Sequence, residues 1–292
     1  MEIILENNIL ALTVNTLGAE LVSVQKKETG EELLWDAREG GWNRHAPILF
    51  PWCGRLKNGK FTYNGTEYEG AGHGFARDLE HTVTEQTDTS ITLTLAANAV
   101  TMEKYPFVFR LVTTYTLQGT AVRHDVRVEN EGDWDMPFAL GFHPGFMCPF
   151  DCEHQTEDYE LRFDTPQTPV VVDTGDGGLV SGKEYTYFTN ESVIPLTDTL
   201  FANDSLCFKN LTAKTMTLQE KGTGRSITVD VAGFPFVLIW SQAGPLEFVC
   251  IEPWHGVPDR SDATGNWADK PHTITLAKGE DWGTQLVMQF NR

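Results

Sequence analysis

Phe107-Val108-Phe109-Arg110-Leu111-Val112-Thr113-Thr114-Tyr115-Thr116-Leu117, then Gln118-Gly119-Thr120, then Val122-Arg123-His124-Asp125-Val126-Arg127-Val128-Glu129, is the stretch that decides the fold. Both arms are rich in β-branched and aromatic residues, and the joint between them is a short turn carrying a glycine. Such a run folds back on itself as two antiparallel strands. The same alternation of strand signal and turn former recurs outward in both directions. Strands are expected at Ile9 to Val14, Leu21 to Gln25, Leu33 to Trp35, Phe61 to Tyr63, Ile91 to Leu95, Val170 to Val172, Thr215 to Leu218, Ser226 to Val229, Phe236 to Trp240, Phe248 to Glu252 and Thr273 to Leu276. Turns are expected at Lys27-Glu28-Thr29-Gly30, Tyr63-Asn64-Gly65-Thr66 and Gly222-Thr223-Gly224. No amphipathic helix of useful length interrupts them. Short connections favour an antiparallel meander over βαβ units, so the expectation is all-β, one large antiparallel β-sandwich over residues 1–292. The acidic, glycine-rich run Asp173 to Gly178 comes nearest to a break, and strands of the same character continue on both sides of it.

Composition narrows the function. Hydrophobic residues at 40% and aromatics at 11% are the values of a folded chain. Forty-one acidic against 22 basic residues leave a net charge of −19, a field that repels phosphate backbones and anionic membrane surfaces. Neither nucleic acid nor membrane is an expected partner. Met1 to Asn8 has no basic region and no long apolar stretch, and no apolar run is long enough to span a bilayer. The five cysteines, Cys53, Cys148, Cys152, Cys207 and Cys250, are odd in number and scattered among apolar neighbours, as reduced thiols are. A cytoplasmic location is expected.

Two strand runs carry candidate chemistry. In Leu246 to Trp254 the period of two puts Leu246, Phe248, Cys250 and Glu252 on one face, so that a carboxylate ends an apolar row. Desolvation there raises its pKa and makes it a usable proton acceptor near neutral pH. In Pro137 to Phe146 the same period puts His143 on a face with Ala139 and Gly141, whose small size leaves room for a ligand over the sheet. Each residue alone has a plain structural reading: a core histidine bonded to the backbone, and a carboxylate in an ion pair with an arginine. The two together are the minimum kit for acid–base catalysis.

Arg44 to Arg55 and Gly70 to Arg77, broken by two prolines and four glycines, read as loops, where binding groups concentrate. Arg55, His73 and Arg77 either meet a ligand there or tie the loops down through backbone carbonyls. Cys148, Cys152 and His154 have a metal-like spacing without a matching second pair, so no metal site is expected. Gly222-Thr223-Gly224 lacks the Lys and helix of a phosphate loop and reads as a hairpin. No thiol or hydroxyl shows a nucleophile signature.

In order, Ala46-Pro47-Ile48-Leu49-Phe50-Pro51 with Gly54-Arg55, His73-Gly74-Phe75-Ala76-Arg77, Gly141-Phe142-His143-Pro144 and Glu252-Pro253-Trp254 resemble the motifs of the aldose 1-epimerase (galactose mutarotase) family, and most of all its shorter, lactose-operon-associated branch. The resemblance runs from about Ile9 past Pro258. It implies a galactose mutarotase-like supersandwich and cofactor-independent interconversion of sugar anomers. By it Glu252 is the general base, His143 the general acid, His73 the second active-site histidine, Arg55 a contact to sugar hydroxyls, and Asp204 a sugar-binding aspartate where the surrounding residues match poorly. Trp52, Phe142 or Trp240 would stack on the sugar ring. Two other functions fit the same residues. One is a mutarotase for hexose 6-phosphates using Arg44, Arg55 and Arg77; the other is a non-catalytic sugar-binding or sensing protein.

Overall fold

The computed structural model describes residues 1–291. Two broad antiparallel sheets lie face to face across one apolar core. The larger has nine strands, running in space Glu191–Pro195, Tyr159–Gln167, Thr215–Glu220, Ser226–Asp230, Asp281–Asn291, Ala121–Asn130, Phe109–Gln118, Ser90–Ala96 and Thr82–Gln86. The hairpin formed by Phe109–Gln118 and Ala121–Asn130 sits near its middle, with Leu117 opposite Val122 and Leu111 opposite Val128. Its inward residues alternate strictly with outward ones, as a sheet with one buried face requires.

The second sheet has eight strands, of which the central two, Phe236–Trp240 and Phe248–His255, are buried on both sides. Its path is Glu184–Thr186, Val170–Val172, Leu206–Lys209, Phe236–Trp240, Phe248–His255, Leu140–Phe142 and Ile48–Leu49, with Gly145–Met147 also paired to Phe248–His255. The inner face, which includes Phe208, Val237, Ile239, Val249 and Ile251, packs into the common core. The outer face is covered by loops in two patches: Leu49, Cys53, Ala139, Leu238 and Trp254 in one, and Trp35, Phe248 and Cys250 in the other. Between these patches the sheet opens to solvent.

Several expectations need correction. Leu33 to Trp35 is no strand; Glu32 and Leu34 make isolated bridges to Gln25 and Phe146. The run from Pro137 to Phe146 breaks into Met136–Phe138, Leu140–Phe142 and Gly145–Met147. Within the proline-rich segment Arg44 to Arg55, Ile48–Leu49 forms a short strand. Leu246 precedes the strand Phe248–His255 and packs into the inner core, away from the row of Phe248 and Cys250. Glu252 does not end that row, because Trp254 continues it. The small residues 139 and 141 leave no room for a ligand: a Cβ on Gly141 would lie 2.6 Å from the Trp254 ring, and Ala139 packs under Gly256.

Candidate active site

His143 and Glu252 are brought together by strand register. Leu140 pairs with His255, Gly141 with Trp254 and Gly145 with Cys250, so counting inward from either end sets His143 opposite Glu252. Cross-strand partners share a face. The ladder opens at this point because Pro144 and Pro253 have no N–H to give, and one bond, from the Ile251 N–H to the Pro144 carbonyl at 3.3 Å, remains between them. His143 Nε2 lies 3.1 Å from Glu252 Oε2. The contact is close but not aligned as a hydrogen bond, so Glu252 Oε2 and His143 Nδ1 have no hydrogen-bond partner among the described residues.

Burial sets their protonation. Across the sheet Glu252 neighbours Leu238, which neighbours Cys207, and then Val172, so its row is apolar on that side. Glu252 is 2% exposed and His143 7%. Desolvation, reinforced by the negative charge of Asp204, pushes the Glu252 carboxyl well above the ordinary range. Desolvation, reinforced by His73 and Arg77, pushes the His143 imidazole well below its own. Both shifts favour the uncharged forms, a protonated carboxyl beside a neutral imidazole, which together hold the same number of protons as a carboxylate beside an imidazolium. Burial likewise raises Cys53, Cys207 and Cys250, which stay thiols.

The loops complete the site. His73 takes a positive φ of 69° and clasps Gly54 twice: its N–H donates to the Gly54 carbonyl at 2.7 Å, and its Nδ1 accepts the Gly54 N–H at 3.2 Å. That bond assigns the ring proton to Nε2, leaving a donor free for a ligand. Burial, then the charges of Arg77 and Arg55, lowers its pKa to about 3, so the ring is neutral. Arg77 donates from Nη2 to the Gly72 carbonyl at 2.8 Å, which fulfils the plain reading of that residue, yet its buried Nε has no partner among the described residues. The segment bearing Arg55 is held by Asp259, whose N–H donates to the Arg55 carbonyl at 2.9 Å and whose Oδ2 accepts the Lys57 N–H at 2.9 Å. Lys270 Nζ pairs with Asp259 Oδ1 at 2.6 Å, and both side chains are buried.

Together these groups line a cleft of about 260 Å³. His143, Glu252, His73, Arg55, Arg77 and Asp204 all reach it, so the structure brings these six candidates together. Asp204 enters from an exposed turn with φ of 75°. The aromatic assignments fare less well. Trp240 lines the cleft, whereas Trp52 is buried with its indole N–H bonded to the Ala71 carbonyl, and Phe142 faces the core. The aromatic residue missed is Trp42, whose ring stacks on His143 with centroids 4.6 Å apart. Its place depends on Gly145, where a Cβ would come within 3.0 Å of the Trp42 ring. Trp254, Thr174 and Ser205 were also missed. Arg44 stays outside, engaged with Asp78, Glu20 and the Arg77 carbonyl. The Cys148, Cys152 and His154 spacing forms no cluster: Cys148 is buried, Cys152 is exposed, and His154 Nδ1 meets Asp151 Oδ1 at 2.7 Å.

Comparison with known proteins agrees with the geometry. A family model described as aldose 1-epimerase matches residues 1–289, and the chain belongs to that family. It is 33% identical over 284 residues to the plasmid-encoded protein LacX of Lactococcus lactis subsp. lactis, covering 94% of this chain and 95% of that protein. A galactose mutarotase related enzyme from Lactobacillus acidophilus superposes with a TM-score of 0.94 at 34% identity, over 100% of this chain and 98% of that one. A galactose mutarotase-like protein from Lactobacillus casei gives 0.93 at 30% identity, over 100% of both. The fold is therefore the galactose mutarotase-like sandwich. No helix among the described residues is long and apolar enough to cross a membrane.

Proposed function

We propose that the protein interconverts the α and β anomers of a free aldohexose by acid–base catalysis. The observation that carries this is the His143–Glu252 pair, 3.1 Å apart, buried and facing a cleft of sugar size. In its ionic arrangement Glu252 takes the proton of the anomeric hydroxyl while His143 gives one to the ring oxygen. The C1–O5 bond breaks, the open aldehyde rotates about C1–C2, and the roles reverse on closure, so no net proton is gained or lost. Each assistance is worth roughly 10² to 10⁴ in rate. His73 Nε2–H, Arg55 and Asp204 hold ring hydroxyls, and Trp42 and Trp240 offer apolar faces to the pyranose. The whole chain serves as one unit, since residues from Ile3 to Phe290 share one core.

A neutral sugar suits the site better than a phosphosugar. Arg44 is occupied elsewhere, and the Asp204 carboxylate on the cleft wall opposes an anion. Polarimetry on freshly dissolved α-D-glucose, α-D-galactose and α-D-glucose 6-phosphate tests the reading, with acceleration on a free sugar expected. Acceleration confined to the phosphosugar, or saturable calorimetric binding of sugar without acceleration, would overturn it.

A further inference from the structure

Cys250 takes no part in the proposed chemistry, yet it points to the acid–base pair from the same strand face as Glu252, two residues away. One ligand atom each from His143, Cys250 and Glu252 lie within 4.8 Å of one another, and all three residues are buried. Imidazole, thiolate and carboxylate are a three-ligand set suited to zinc, with a fourth position left open. Bond lengths of about 2.0 to 2.3 Å set the edges of a zinc tetrahedron at about 3.3 to 3.6 Å. His143 Nε2 and Glu252 Oε2, at 3.1 Å without a hydrogen bond, are already close to such an edge. With all three ligand atoms inside 4.8 Å, the Cys250 sulfur has to close by no more than about 1 Å to reach such an edge.

Charge favours the same occupant. A divalent ion displaces one proton from the Cys250 thiol and one from the pair, and the resulting thiolate, carboxylate and dication sum to zero. A neutral centre is what a buried site tolerates. The other three-residue cluster, Asp151, His154 and Glu220, differs because Arg225 already stands 2.5 Å from Asp151 and 3.3 Å from Glu220.

We infer that His143, Cys250 and Glu252 form a site for a soft divalent cation such as zinc, and that the ion reversibly silences the cleft. The inhibitory half rests on the acid–base reading above; the binding half does not. Cobalt(II) added to the intact protein gives a near-ultraviolet thiolate-to-metal absorption in the wild type and in Cys152→Ser. Cys250→Ser and Cys250→Ala lose it. Zinc inhibits mutarotation by wild type at a concentration at least tenfold below that needed for either Cys250 variant, and a chelator restores the rate. An absent band, or one that survives both Cys250 substitutions, overturns the site. Zinc sensitivity unchanged in those variants overturns the inhibition. The expected band in a protein whose metal-free form accelerates no mutarotation upholds the metal site and overturns the catalytic reading instead.

Discussion

Leu238 is the cross-strand neighbour of Glu252 in the antiparallel ladder, so the carboxyl has an isobutyl group on one flank and the His143 imidazole on the other. An uncharged neighbour on one side and an unaligned partner on the other explain why desolvation governs this group.

Removing the carboxyl tests its role directly. Glu252→Gln keeps shape and lowers kcat by about 10² to 10⁴ in polarimetry, with circular dichroism unchanged. His143→Gln does the same. Because the two act as a unit, the double variant is little slower than the worse single one; additive losses would separate their roles.

The pH profile follows from the directions of the two shifts. The active pair holds one exchangeable proton. It gains a second only as pH falls through the lowered value of His143, below the usual 6.5, and loses its last only as pH rises through the raised value of Glu252, above the usual 4.5. Activity is therefore flat between an acid limb that lies below 6.5 and an alkaline limb that lies above 4.5. An acid limb at or above 6.5 in kcat/KM contradicts this burial.

Stability has the opposite sign. A carboxyl with a raised folded pKa contributes fully below the unfolded value of about 4.5 and loses that contribution as pH rises through the folded value. Glu252→Gln cannot lose it. The variant's Tm minus that of the wild type increases with pH from 4.5 upward; a difference independent of pH refutes the shift.

Trp42→Ala removes the ring stacked on His143. Loss of about 0.5 to 1.5 kcal/mol of stacking lowers kcat/KM about two- to tenfold. Water then reaches the pair, and the flat region of the pH profile narrows from both sides. An unchanged profile excludes Trp42 as the cover.

Asp259→Ala strands the Lys270 ammonium and frees the Lys57 end of the Arg55 segment. Thermal unfolding registers a loss of about 3 to 5 kcal/mol, and Lys270→Met added to it recovers part because no lone buried charge is left. KM for sugar rises in the single variant. A full-strength KM would show that Arg55 does not need this anchor.

The hairpins and the candidate residues His143 and Glu252 were legible in the sequence because strand alternation and turn chemistry are local. Other strands were not. Asp281–Asn291 is the longest strand described, yet its first half is polar or glycine apart from Trp282, and its buried alternation is confined to Leu286, Met288 and Phe290. In Tyr159–Gln167 the buried Tyr159, Leu161 and Phe163 alternate well, but Asp164 and Pro166 read as turn formers. Trp42 was hidden for a different reason. It sits in a loop without periodicity, and the glycine that admits its ring lies about a hundred residues further along the chain. Gly141 misled by the same logic, since an absent side chain on one strand makes space for a neighbouring tryptophan as readily as for a ligand.

The His143–Glu252 pair is fixed by ladder register on a doubly covered sheet, while Trp42, Arg55, His73, Asp204 and Thr174 arrive on separate turns from distant parts of the chain. Backbone pairing thus sets where the two groups stand, and the turns set what surrounds them. Under the proposed function, exchanging one turn would retune which hexose epimer is gripped while leaving the ladder beneath it intact, so a single scaffold could serve different sugar diets through changes at its rim.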